Sequence, residues 1–146
     1  MREYKFRGKR LDNGEWVEGS LLKLWETVEH PHEDSCDSVC QEELFFFIVR
    51  ETNIDYEFDD NMRFKVDPAT VGQYTGLKDK NGKEIYEGGI LDNGYEKGEV
   101  EWVQEHCAYM IFTKNPSLYQ KLESDGLLEY TEVIGNIHDN PELLEG

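Results

Sequence analysis

Three Asn-Gly steps, at residues 13–14, 81–82 and 93–94, constrain this chain more than anything else in it. Asn-Gly accepts positive φ at little cost and is a favoured link between antiparallel strands. Around these steps lie short segments in which apolar and polar residues alternate, separated by turn signals roughly every eight to twelve residues. Parallel βαβ units would need helical stretches between the strands, and the spacing leaves little room for them. The expected fold class is mainly β, with α+β as the alternative. It consists of about eight to ten short strands in antiparallel hairpins and one short helix near the C-terminus.

The individual segments follow from period and punctuation. Tyr4 and Phe6 alternate with Lys5 and Arg7, which predicts a strand with its rings in the core and its bases in solvent. A hairpin through Asn13-Gly14 returns, and Gly19 is expected to break it before Leu21, Leu22 and Leu24. The run LFFFIV over 44–49 is apolar at consecutive positions, so it predicts a strand buried on both faces. Met62, Phe64 and Val66 alternate again, and Asp67-Pro68 opens a turn. Val100 and Trp102 share a face. Pro116-Ser117, with Leu118 and Leu122 four apart, predicts a helix over 117–124 stopped by Asp125-Gly126.

At 146 residues the chain fits a single domain, 1–146, with an acidic variable loop at about 26–43. An aromatic share of 12 % in regular alternation argues against disorder despite the polar composition. No apolar run approaches the ~20 residues of a membrane helix, and the basic N-terminus precedes no apolar stretch. Three cysteines give no disulfide framework, so a reducing cytoplasm is the expected location. The formal charge of −17 is uneven: residues 26–60 hold twelve acids and one base, Arg50, whereas Arg2, Lys5, Arg7, Lys9 and Arg10 crowd the start. A field of this sign disfavours direct nucleic-acid binding. A solvated acidic face is the plain reading; docking on a basic partner, or imitation of DNA, is the sharper one.

Three blocks carry a family likeness: REYKFRGKRLDNGEWVEGSLL, YTGLKDKNGKEIYEGGI and EVIGNIHDNPELL. Together they resemble the YopX family of phage and prophage proteins over nearly the whole chain, with 26–66 the least similar part. The resemblance implies a mostly-β fold containing a small SH3-like barrel, and no catalytic residues. It departs at Gly89, where the family's EGDI step usually has Asp.

Candidate chemistry is sparse. His30, His32, Cys36 and Cys40 supply two imidazoles and two thiols within one short acidic stretch, a set able in principle to hold Zn²⁺. The spacing is not that of a standard finger, and Pro31 restricts the histidines, so an ordinary acidic loop is the stronger reading. His106-Cys107, if on a strand, point to opposite faces, with His106 exposed and Cys107 packed. His138-Asp139 reads as turn chemistry. Gly88-Gly89 lacks the helix and Lys-Ser/Thr of a phosphate loop. With no acid/base pair and no nucleophile beside a base, the sequence leans away from an enzyme. A phage accessory protein that binds a host or phage protein, or a second copy of itself, is expected; an acidic DNA mimic and a small metal-binding protein are the alternatives.

Overall fold

Local turn chemistry decides where the strands of this chain stop, and cross-strand pairing decides how far they run. The computed structural model describes residues 3–30, 39–50, 62–114, 116–123 and 128–145. It is mainly β, and its strand pairs are antiparallel. The chain divides into two compact units, Phe6–Val71 and Met1–Lys5 with Gly72–Gly146.

In the Phe6–Val71 unit, β1 (Phe6–Lys9), β2 (Trp16–His30), β3 (Val39–Val49) and β4 (Arg63–Val66) lie in the order β4-β3-β2-β1. The Asn13-Gly14 turn forms as expected: Asn13 Oδ1 accepts the Glu15 N–H at 2.9 Å, and Gly14 N–H donates to the Arg10 carbonyl. Directly opposed residues share a face, so the pairings sort this sheet into two surfaces. On one, Val17, Ile48 and Val66 are fully buried, with Phe6, Leu21, Phe46 and Phe64 packed against them. On the other, rings lie under cations: Arg7 and Lys9 over Trp16, Arg63 over Phe47, and Lys65 3.8 Å from the centre of Phe45. Phe47 and Ile48 are buried on opposite faces, as the apolar run predicts. Among the described residues, arginine and lysine stems cover this second face.

Two expectations fail here, both because pairing overrides composition. Gly19 does not break β2; it pairs with Phe6 and keeps the strand running. A Cβ at this position would stand 2.1 Å from the Val49 carbonyl oxygen, so glycine is there for close approach rather than interruption. In the acidic loop expected over 26–43, the described residues are strand: Glu26 to His30 pair with Glu43 to Val39 in unbroken register. Residues 31–38 and 51–61 lie outside the described residues.

The second unit contains the β5 (Gly72–Lys78) and β6 (Glu84–Tyr86) hairpin. Its sheet has the order β10-β9-β8-β7-β11, with β7 (Gly89–Asp92), β8 (Lys97–Val103), β9 (Ala108–Lys114), β10 (Ser117–Lys121) and β11 (Glu132–Asn136). Ile85, Leu91, Val100 and Val133 form its core, joined by Leu77, Tyr109, Ile111 and Leu122. The helix expected over 117–124 is corrected to a strand, β10, paired residue by residue with β9. The spacing of Leu118 and Leu122 suits a helix. The cross-strand pairs win: Tyr119 lies opposite Phe112 with ring centres 4.7 Å apart, and Thr113 Oγ1 donates to the Pro116 carbonyl to close the turn. No helix among the described residues is long and apolar enough to cross a membrane.

Candidate functional site

The most specific block of the sequence, YTGLKDKNGKEIYEGGI, proves to be a structural joint. Asp79 is buried, and its carboxylate accepts three backbone N–H bonds: from Asn81 at 2.8 Å, Lys83 at 2.9 Å and Val133 at 2.9 Å. The first two shape the β5–β6 turn, in which Gly82 adopts φ +79. The third ties that turn to β11. Burial pushes the Asp79 carboxyl up, but the three N–H groups together with Lys83 outweigh it and hold the group below its ordinary range. The C-terminal block is built the same way: Asn136 Oδ1 accepts from the N–H groups of His138 and Asp139, so these residues do serve turn chemistry. Ile137 N–H donates to the Gly88 carbonyl, so the EGGI step and the C-terminal block meet. Gly89 is buried in β7 opposite Asn136.

Of the proposed metal ligands, His30 and Cys40 end the paired register, opposite Val39 and Glu29 respectively, while His32 and Cys36 lie outside the described residues. No group of three or more His, Cys, Asp or Glu placed to hold a metal occurs among the described residues. The expectation for Cys107 is corrected: it is exposed, not packed. It follows a 3₁₀ turn, Gln104–His106, at the β8–β9 connection, with a left-handed backbone of φ 47. The N-terminal reading is also corrected in part. Phe6 joins the core, but Tyr4 is 67 % exposed, and Lys5 pairs with Glu84, whose other oxygen accepts from the Tyr86 hydroxyl at 2.9 Å.

Two features remain that are not explained by folding alone. The first is the distal half of the β2–β3 ribbon. β1 pairs with β2 only as far as Gly19, and β4 pairs with β3 only from Phe46 onward. Beyond those limits Trp25 and Leu44 stand directly opposite each other, 67 % and 39 % exposed. Glu26 opposite Glu43 and Thr27 opposite Glu42 follow on the next rungs. Like charges directly opposed destabilise a ladder, and Lys65 offsets part of this one through its 2.6 Å bond to Glu26.

The second feature is an open cleft of about 320 Å³ in the second unit, lined by Tyr4, Gln73, Glu87, Trp102 and Tyr109. Trp102 and Tyr109 are paired across β8 and β9, edge to face, with ring centres 5.1 Å apart. The Trp102 indole is held by a 3.0 Å hydrogen bond to Gln104 Oε1. Burial pushes the Glu87 carboxyl up; a backbone N–H from Gln73 opposes this, and the Glu101 charge adds to it. Glu99 is raised for the same reasons, burial first and then Glu101. Neither the ribbon pair nor the cleft was singled out from the sequence. Trp25 borders the expected loop and Leu44 opens a core run, and the cleft's five residues come from five separate places in the chain.

These features define a mainly-β protein with two candidate binding surfaces. A family model for YopX protein matches residues 5–145, and the chain belongs to the YopX family. No curated protein matches it. Among solved structures it is similar to the crystal structure of protein EF1440 from Enterococcus faecalis, at 23 % identity over 99 % of each chain, with a TM-score of 0.46.

Proposed function

We propose that this protein is a phage or prophage accessory protein that works by binding another protein in the host cytoplasm rather than by catalysis. One observation carries the reading: Trp25 and Leu44 are opposed and solvent-exposed on a stretch of ribbon that neither β1 nor β4 pairs. A two-stranded ribbon is marginal in water by itself, and an exposed tryptophan on it is the side chain most often found at the energetic centre of interfaces. The glutamates on the adjoining rungs select a partner with a basic rim.

Capture from an induced host lysate tests this. Wild-type bait is expected to retain a specific partner at physiological salt, and Trp25→Ser to lose it by about thirty-fold, the scale of a 2 kcal/mol hot spot. Recovery of nothing across several salt levels would remove the interaction reading, and equal capture by Trp25→Ser would remove the ribbon from it. The DNA-mimic reading is favoured by the Glu26–Glu43 rung. It requires displacement of DNA from a host protein that weakens when Glu26, Glu42 and Glu43 are changed to Gln.

A further inference from the structure

The three Asn-Gly steps that shape turns in this chain are also places where it can modify itself. In such a step the glycine nitrogen can attack the asparagine side-chain carbonyl carbon, because no Cβ on the glycine stands in the way. We infer that folding leaves one of the three open: Asn81 is a site of spontaneous deamidation, whereas Asn13 and Asn93 are restrained by their own turns. The bond from Gly82 N to Asn81 Cγ forms and the Cγ–Nδ2 bond breaks. Ammonia leaves with the Gly82 amide proton, and water then opens the imide ring to an aspartyl or isoaspartyl residue.

The three glycines are alike in shape and access. Gly14, Gly82 and Gly94 have φ of 71, 79 and 87, and a Cβ added at any of them would meet nothing within 4 Å. Each glycine N–H donates one hydrogen bond, to the Arg10 carbonyl, the Asp79 carbonyl and the Asp92 carboxylate respectively. The asparagine side chains differ. Asn13 Oδ1 accepts the Glu15 N–H, and its Nδ2 donates to Glu15 Oε2 at 3.2 Å. Asn93 is half-buried, and its Oδ1 accepts from Tyr95 and Glu96 N–H groups at 2.9 and 3.0 Å. Asn81 is exposed, and its side-chain amide makes no hydrogen bond among the described residues; only its backbone N–H is held, by Asp79. To react, the amide must turn its carbonyl carbon toward the next nitrogen. Asn13 and Asn93 must first release their bonds, and Asn81 has none to release.

Asp79 gives the modification a structural consequence. Its Oδ1 accepts from Asn81 and Lys83, the N–H groups on either side of the altered link, and its Oδ2 accepts from Val133 on β11. An isoaspartyl link runs through the side-chain carbon and lengthens the backbone by one atom between the first two donors. They no longer fit a single oxygen, and the new carboxylate stands two residues from that of Asp79. The tie between the β5–β6 turn and β11 therefore carries a slow chemical timer.

The test ages the full chain in mildly alkaline buffer, folded and in urea, and follows each Asn-Gly peptide by mass spectrometry. A protease that cuts before aspartate but not isoaspartate separates the two products. In the folded protein Asn81 is expected to convert about ten-fold faster than Asn13 or Asn93, the scale set by the bonds those two must release. In urea the three rates should converge, since each asparagine precedes a glycine and no turn restrains it. Equal rates in the folded chain, a lead for Asn13 or Asn93, or conversion of Asn81 only in urea would each overturn the assignment. The consequence is read separately, by amide exchange. Aged wild type containing isoaspartate at 81 is expected to lose protection at Lys83 and Val133, while Asn81→Ser, aged alike, keeps it. Unchanged exchange at Val133 in the isoaspartyl form would remove the timer.

Discussion

The two units solve the same problem by opposite means. In Phe6–Val71, the cations are spread over the sheet, and each of the seven described bases, Arg7, Lys9, Arg10, Lys23, Arg50, Arg63 and Lys65, lies over an aromatic ring. Stability there is distributed, in contacts individually worth about 0.5–1 kcal/mol at exposed sites. In the second unit, a few polar side chains take hold of the backbone itself: Asp79 accepts three N–H groups, and Asn136 two. The difference teaches where each unit is brittle. The first should tolerate loss of any one ring–cation pair but not a steric insult to its ladder. The second should fail when a single clasp is removed.

The sharpest way to break the first half of the comparison is Gly19→Ala. A methyl group 2.1 Å from the Val49 carbonyl oxygen has no room, so β2 must part from β3 or shift register. Thermal unfolding should show a loss of about 3 kcal/mol or more, or failure to fold the Phe6–Val71 unit. Asp79→Ala comes next. It strips the acceptor from three backbone N–H groups, that of Val133 buried, and a loss of about 3 kcal/mol is expected in urea unfolding, with the largest rise in amide exchange at Asn81, Lys83 and Val133. Because the folded Asp79 carboxyl titrates below its unfolded value, its contribution is present in full above the unfolded pKa. It is lost as pH falls through the folded one, so the wild-type advantage over the alanine variant should shrink only in acid. The smallest effect sharpens the contrast. Lys65→Met removes the charge over Phe45 and the bond to Glu26 but keeps an apolar cover, and should cost about 0.5–1 kcal/mol. A loss as large as that of Asp79→Ala would erase the distinction between the units.

What was legible in the sequence divides along the same line. Turns governed by residues two or three apart could be read directly: Asn13-Gly14, Asp67-Pro68, Asn81-Gly82 and Asp92-Asn93-Gly94 all form, because Asx chemistry is local. In the last of these, Asp92 Oδ1 accepts from Gly94 N–H at 2.7 Å. Strand extents governed by partners were not legible. Glu26 to His30 have no apolar alternation, and only their ladder with Val39 to Glu43 makes them extended. Ser117 to Lys121 have helical spacing but an open strand edge beside them. The cleft was hidden for a related reason. Tyr4, Gln73, Glu87, Trp102 and Tyr109 share no motif, and only the fold gathers them.

The placement of the three tryptophans has a practical consequence. Trp16 sits beneath Arg7 and Lys9 in one unit, Trp102 stands beside Tyr109 and Glu87 in the other, and Trp25 faces water on the ribbon. The molecule therefore carries its own optical reporters, one for each half and one for the exposed arm. Single-tryptophan versions would let melting, ligand uptake and partner engagement be watched separately, with no label attached.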